Sequence, residues 1–597
     1  MDIVEIDTDH LFKQLQLAYY ELSSRGLVRA ARFAAEALVG LDLNDDDAHR
    51  LTQSVEAPQL APQTAQAKAY FDSQEFLRCW NALESRSKQR RTLSSIDMFL
   101  RFFSRYHAGE ARKEDAMGAE VFVDRTKENS TNSSVALNPF LEELIAALDT
   151  ETIGDDPFLL YLRGIVLRAR KQQPEAIEAL VQSCVLYPYN WSCWLELRAC
   201  FTRLAETQAV LDRLTTEFMK KSGEDRVMLS LFRCFASEEL DPDATIQLLE
   251  KSLLPLLPAM DSLYTQLARI VNVDGQYERA SELFEGVICR DPFRLEDLDV
   301  YSNLLYVNEQ RTKLAFLAQK VAATDKYRTE SCCIVANYYS LVGEHERAVQ
   351  YYQRAVLLNS NYISAWTLMG HEYVELGNPH AAIETYRKAV DLAPYDYRLW
   401  FGLGQAYEVL CMYFFALYYF QRALSLHPGD VRMWDSLGNC YEQLHRYDDA
   451  VTAFEQAAQI NEGDVYYAYR LGMALHRVGK TDEALKYIIA CAVGADQASN
   501  TVQSGAGASA LKSLSDDDPN FTALQNASDI DKEEEESEWP LRARLWLAKR
   551  AMSLGKYAEA LHWARRIDHG TREMLEEARS LERESRMHVQ NKRFGDS

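Results

Sequence analysis

Ten polar side chains recur between residues 330 and 442 at spacings that suit an extended binding partner: Glu330, Asn337, Thr367, His371, Arg398, Gln405, Glu408, Asp435, Asn439 and Glu442. The neighbouring positions of the repeating pattern are apolar. Amides such as Asn337, Gln405 and Asn439 can satisfy a peptide backbone, whose N–H and C=O groups need partners. Carboxylates such as Glu408, Asp435 and Glu442 can take an arginine of that peptide. This is holding chemistry, with no bond made or broken.

Fragments of catalytic motifs lie nearby, and each one fails. Gly402 and Gly404 form a GxG, but the third glycine of a dinucleotide loop is missing and the pair falls inside a helical pattern. Gly479-Lys480-Thr481 has the ending of a phosphate loop, yet Ala474 stands where its first glycine belongs. His371-Glu372 opens like a zinc helix, but Glu375 replaces the second histidine. No GxSxG occurs, and no Cys/His cluster has metal-ligand spacing. The expectation is no catalytic, cofactor-binding or metal-ligating residue and no small-molecule substrate.

The elements that carry the polar row are internal repeats. Trp366, Trp400 and Trp434 are spaced by 34, as are Gly370, Gly404 and Gly438, Tyr373, Tyr407 and Tyr441, Ala382, Ala416 and Ala450, and Ala389, Ala423 and Ala457. Positions four, seven, eight and eleven of each unit fall on one face of a first helix; positions twenty, twenty-four and twenty-seven fall on one face of a second. Small residues allow the two helices to cross closely, large ones fill the space between units, and Pro394 and Pro428 end the second helix. This is a tetratricopeptide pattern. The fold class expected is all-α, helix-turn-helix repeats stacked into a right-handed superhelical solenoid. In that repeat family the first helix lines the concave face at positions two, five, nine and twelve, where the ten polar residues fall.

The pattern divides the chain. Residues 9–106 read as divergent helical repeats, 109–135 as a polar loop containing KENSTNSS, and 157–260 as degenerate repeats. Seven in-phase repeats follow over 261–498, then a Gly-, Ser- and acid-rich linker over 499–540, a last repeat over 541–574 and a charged tail over 575–597.

With 597 residues, 47% of them hydrophobic, the chain has ample material to bury. Its formal charge of −24 argues against a phosphate-backbone binder, so nucleic acid is not an expected partner. No stretch approaches the roughly 20 apolar residues that cross a bilayer, and no signal peptide is legible, so a soluble intracellular protein without a membrane partner is expected. The 11 cysteines are scattered and lack CxxC pairs; Cys184, Cys411 and Cys491 sit in helical patterns and read as small reduced core residues.

The strings YSNLLYV (301–307), DKYRTESCCIVANYYSL (325–341), AWTLMGHEYVELGNPHAAIETYRKAV (365–390) and WFGLGQAYEVL (400–410) go beyond the repeat consensus. They resemble the tetratricopeptide subunit-eight family of the anaphase-promoting complex, or cyclosome. That resemblance implies a non-catalytic scaffold of a ubiquitin ligase that drives mitosis, found in nucleus and cytoplasm. It implies a homodimer formed through the N-terminal repeats, stacking with other tetratricopeptide and small scaffold subunits, and a C-terminal groove holding an arginine-containing motif of the activator. The rival is a chaperone co-factor gripping acidic C-terminal peptides: Asn337 and Arg398 fit two places of its clamp, but Cys333, Leu368 and Gly402 occupy others. A repeat-bearing glycosyltransferase would need an α/β domain, and no strand-like alternation is present.

Overall fold

The computed structural model describes residues 7–44, 50–53, 55, 60–88, 93–122, 138–150, 156–201, 204–221, 223–236, 241–461, 464–493, 538–567 and 570–595. No strand occurs among the described residues. Contacts divide the chain into two compact units, Met1–Ser360 and Asn361–Ser597.

One backbone feature recurs throughout. Residues 275, 309, 343, 377, 411, 445 and 479, each 34 after the last, all have positive φ between the two helices of a pair. Gly275, Gly343, Gly377 and Gly479 take that conformation without a Cβ penalty, whereas Glu309, Cys411 and His445 hold it at φ 53–58°.

In the first unit the later helix pairs are Asp261–Val273 with Tyr277–Arg290, Leu298–Val307 with Arg311–Thr324, and Thr329–Val342 with His345–Leu358. Earlier come Thr8–Ser24, Val28–Gly40, Pro62–Asp72, Phe76–Lys88, Ser95–Phe122, Leu141–Thr150, Pro157–Ala169, Gln173–Leu186, Trp191–Cys200, Leu204–Phe218, Gly223–Ala236 and Pro242–Leu248, the last running into a π-helical turn, Leu249–Leu253. The N-terminal helix Val28–Gly40 packs on distant parts of this unit. Phe33 stacks on Trp191 with ring centroids 4.0 Å apart. A Cβ on Gly40 would lie 2.9 Å from that of Met260, and Glu36 accepts from Ser262 N (2.8 Å) and pairs with Arg294 (3.1 Å).

The polar loop expected from residue 109 is corrected here: helix Ser95–Phe122 continues through it. Its sequence AGEARKEDAMGAE is rich in strong helix formers, which outweigh its polarity. Asn138 seats on the helix at Gly109, its Nδ2 donating to Tyr106 O (3.1 Å) and Glu110 Oε1 (3.0 Å). The rest of that expected loop, 123–135, lies outside the described residues.

The second unit repeats one construction: Ile363–Glu375 with Pro379–Leu392, Tyr397–Val409 with Tyr413–Leu426, Val431–Gln443 with Tyr447–Ile460, and Val465–Val478 with Thr481–Val493. Asp396, Asp430 and Asp464 cap the first helices, each accepting from the N–H two residues on at 2.9–3.0 Å. The template tryptophan ties a unit to the end of its predecessor, Trp400 Nε1 donating to Pro394 O (2.9 Å) and Trp434 Nε1 to Pro428 O (3.0 Å). At the crossings, a Cβ on Gly370, Gly404 or Gly438 would lie 2.4–2.6 Å from the buried ring of Tyr386, Phe420 or Phe454. The 34-residue spacing is thus a contact requirement.

Of the expected linker 499–540, residues 499–537 lie outside the described residues, and 538–540 already begin helix Glu538–Ser553. That helix pairs with Tyr557–Arg565. The expected charged tail is helical over Arg572–Gly595, with Ala578 buried and Leu581 packed beside it. Cys184 and Cys491 are buried, and burial pushes the Cys491 thiol up to about 12. Cys411 is instead exposed, because it occupies the left-handed turn rather than a helix face.

Candidate peptide-binding groove

Two of the ten candidate residues belong to the first unit. Glu330 is half-buried and accepts from Arg328 Nε at 3.2 Å. Asn337 departs from expectation: it is 3% exposed, and its amide is consumed inside the stack. Its Nδ2 donates to Ser302 Oγ (2.8 Å) and Asn303 Oδ1 (2.7 Å), and its Oδ1 accepts from the buried Tyr352 hydroxyl. It is a packing residue, held by groups that a partner would have to displace.

The other eight lie on first helices of the second unit. Thr367 Oγ1 donates to Ile363 O of its own helix (3.0 Å). The His371 ring is hydrogen-bonded through Nδ1 to the largely buried Tyr386 hydroxyl (2.9 Å), and desolvation there lowers its pKa against a smaller upward pull from Glu375. Arg398 is exposed beside Tyr397. Gln405 and Glu408 are half-buried, and neither makes a hydrogen bond or ion pair among the described residues.

The acidic cluster is real but already holds an arginine. Asp435, Asn439 and Glu442, on consecutive turns of helix Val431–Gln443, surround Arg470 of the following repeat. Its Nε is 3.8 Å from Asp435 Oδ1, its terminal nitrogen is 3.4 Å from Glu442 Oε2 and donates to Asn439 Oδ1, and its guanidinium lies 4.8 Å from the Phe454 ring centroid. Arg477 closes the far side on Glu442 at 3.2 Å. Asp435 also accepts from the Tyr466 hydroxyl at 3.1 and 3.2 Å and from Asn439 Nδ2 at 3.4 Å.

Burial still holds the Asp435 carboxyl above the usual range, because desolvation outweighs the opposing pull of Arg470, Tyr466 and Asn439. Glu408 is raised too, first by burial and then by the charge of Asp435. A cation arriving between Glu408 and Asp435 would relieve both carboxylates. Arg470 was missed by reading only positions two, five, nine and twelve. Its signal was an arginine at position six, where the preceding units carry Ile334, Leu368, Gly402 and Ser436. Among the described residues no group of three or more His, Cys, Asp or Glu is arranged to hold a metal ion.

The stacked helix pairs, with their Trp–Pro ties and glycine crossings, define a tetratricopeptide-repeat protein. Repeat models match residues 329–362, 363–396 and 431–464, in the register of the helix pairs. Residues 10–268 match the family model described as Anaphase promoting complex subunit 8 / Cdc23. The chain is 34% identical to Anaphase-promoting complex subunit 8 of Arabidopsis thaliana over 344 residues, 52% of this chain and 56% of the relative. It is 31% identical to Anaphase-promoting complex subunit CDC23 of Saccharomyces cerevisiae over 376 residues, 52% and 60% of the two chains. It is 33% identical to Cell division cycle protein 23 homolog of Homo sapiens over 331 residues, 53% and 50% of the two chains. The matches thus span about half the length of these curated relatives. The crystal structure of the APC/C hetero-tetramer Cut9-Hcn1 superposes with a TM-score of 0.51 over 96% of this chain and 95% of that one at 15% identity, a shared fold. By these matches the chain is similar to the anaphase-promoting complex subunit 8/Cdc23 family over residues 10–268.

Proposed function

We propose that this chain is a non-catalytic scaffold subunit of an anaphase-promoting complex, the ubiquitin ligase that marks cell-cycle regulators for destruction, working in nucleus and cytoplasm. The observation that carries this reading is the family match over residues 10–268. In it, helices before about residue 300 form a homodimer contact, and the repeats stack on other tetratricopeptide and small scaffold subunits. The second unit's first helices receive a short arginine-containing motif of the substrate-recruiting activator.

The docking reading is supported by Glu408, a half-buried carboxylate with no cation among the described residues, beside an Asp435 whose pKa is likewise raised. Gln405, one helical turn before it, offers an unused amide to a peptide backbone. Arg398 lies on the same helix, and His371 and Thr367 line the preceding unit. Asp435, Asn439 and Glu442 shape the pocket through Arg470. Asn337 has no part in it.

Calorimetric titration of the full chain with an arginine-containing activator peptide tests the site. A charge-assisted hydrogen bond contributes about 1.5–3 kcal/mol, so Glu408→Gln should weaken binding roughly tenfold or more. Asp435→Arg with Glu442→Arg should abolish binding, since it also evicts Arg470. Unchanged affinity in both variants removes the acidic pocket. Tighter binding of a peptide with a free acidic C-terminus, lost on amidation, moves the protein to the chaperone clamp.

A further inference from the structure

The row of first helices changes character at the last repeat. Aligned on its positive-φ Gly555, that repeat puts Trp546 at position six and Arg550 at position ten of helix Glu538–Ser553. Position ten holds Ala406, Cys440 and Ala474 in the three units before, all buried. An arginine there is a departure that helix packing does not require.

Its surroundings repeat a geometry already met in the acidic cluster. Trp546 meets His476, position twelve of the preceding unit, edge to face at 5.0 Å, just as Arg470 meets Glu442 one unit earlier. The Arg550 guanidinium lies over the same indole, 5.4 Å from the ring centroid, and makes no hydrogen bond or ion pair among the described residues. Its Nε and the Nδ1 of His476 are both shielded from solvent without a hydrogen-bond partner. Polar groups left in that state are costly.

The neighbouring charges supply no acceptor. Helix Val465–Val478 has no carboxylate, and Glu538, the one in helix Glu538–Ser553, is held by Arg542 at 2.8 Å. Lys549 pairs with Glu577 (2.6 Å), Arg544 is turned onto Ala492 O and Arg566 O, and Arg470 and Arg477 are offset by Asp435 and Glu442. His476 adds no charge near neutrality, because burial and then the charge of Arg550 lower its pKa. One positive charge is left over on this stretch, and the indole beside it cannot cancel it.

We propose that His476, Trp546 and Arg550 form a second subsite of the groove, which takes a carboxylate side chain of the same bound peptide about five residues from its arginine. The subsite presupposes the arginine docking proposed above and gives that peptide an acidic residue. Helices in contact lie about 8–10 Å apart, and the gap between Glu408 and Asp435 is two such steps from the gap between His476 and Arg550. At about 3.3–3.6 Å per extended residue this spans about four to six residues. A single spare charge matches a carboxylate better than a phosphate dianion, and the indole can cover the methylenes that carry it.

The test is calorimetry of the full chain with the arginine-containing activator peptide, extended at either end by a Ser/Gly spacer bearing glutamate or glutamine three, five or seven residues from the arginine. At five residues on one side, glutamate should bind about threefold or more tighter than glutamine, and salt should shrink the gain. Arg550→Gln should bring the ratio of the two affinities to one, and Arg550→Lys, which keeps the charge, should retain part of it. Circular dichroism checks that both variants are folded. A ratio of one for the parent at every spacing overturns the subsite, as does a glutamate preference that survives Arg550→Gln. So does a phosphoserine preferred to glutamate at that place, which would make the ligand a phosphate. A parent that binds neither peptide removes the arginine groove and this subsite together, whereas a glutamine peptide that binds as well as the glutamate one removes the subsite alone.

Discussion

Replacing Gly404 by alanine should destabilise the second unit, although the same change elsewhere on a helix does the reverse. A Cβ at 404 would sit 2.4 Å from Phe420 Cε1, 2.5 Å from Cδ1 and 2.9 Å from Cζ. Carbon atoms in good contact are about 3.5–4 Å apart, so the ring would have to retreat by roughly 1 Å. Phe420 is fully buried, and its ring also packs on Phe401 at 5.5 Å, so retreat opens the stack. Overpacking of this kind costs about 1–3 kcal/mol. Alanine in place of glycine within a helix returns about 0.8–1 kcal/mol, leaving a net loss of up to roughly 2 kcal/mol. Gly286 is the control: it lies in helix Tyr277–Arg290, and a Cβ there meets nothing within 4 Å, so Gly286→Ala should stabilise. Urea unfolding followed by circular dichroism gives both shifts. Adding Phe420→Leu to Gly404→Ala should recover part of the loss. If Gly404→Ala raises the midpoint as much as Gly286→Ala does, the close helix crossing is wrong and the reason given for the 34-residue spacing fails with it.

Asn337→Ala should lower stability by about 1–3 kcal/mol, since it leaves Ser302, Asn303 and Tyr352 without their buried partner, and should leave arginine-peptide affinity unchanged in calorimetry. Because the Glu408 and Asp435 pKa values are raised, acidification neutralises them before ordinary carboxylates, so peptide affinity should fall as pH drops and be largest near neutrality. Stability has the opposite sign: a raised acid favours the fold in its neutral form, a contribution present below the unfolded pKa and lost as pH rises through the folded one. Glu408→Gln should therefore gain stability relative to the parent from the carboxylate range up to neutrality, and unfolding midpoints against pH report it. In light scattering the full chain should be dimeric and a fragment starting at Asp261 monomeric; a dimeric fragment moves the contact out of the N-terminal helices.

The repeats were legible because they are enforced by contact. Tryptophan, glycine and alanine recur at fixed spacing since each touches the same neighbour in every unit, and those contacts are the Trp–Pro ties and the aromatic rings over Gly370, Gly404 and Gly438. Helix Ser95–Phe122 was illegible past residue 109, because polarity suggested a loop while intrinsic propensity and the Asn138 anchor decided for helix. The packing of Val28–Gly40 onto Trp191 and Met260 joins residues too far apart in the chain for any periodic pattern to carry. Within the groove, register alone could place a polar residue on a helix face but not say whether the preceding helix covers it. Asn337 is covered by Ser302 and Asn303, and Asp435 with Glu442 is already engaged by Arg470. Glu408 differs from them in that no cation reaches it among the described residues.

The scaffold reading is tested most directly by purifying the full chain, tagged at its native level, under non-denaturing conditions and quantifying its partners by mass spectrometry. Stoichiometric recovery of other tetratricopeptide chains together with cullin- and RING-bearing ligase chains is the predicted result. Recovery of the chain alone, or with chaperones ending in acidic residues and no ligase chain, would contradict it.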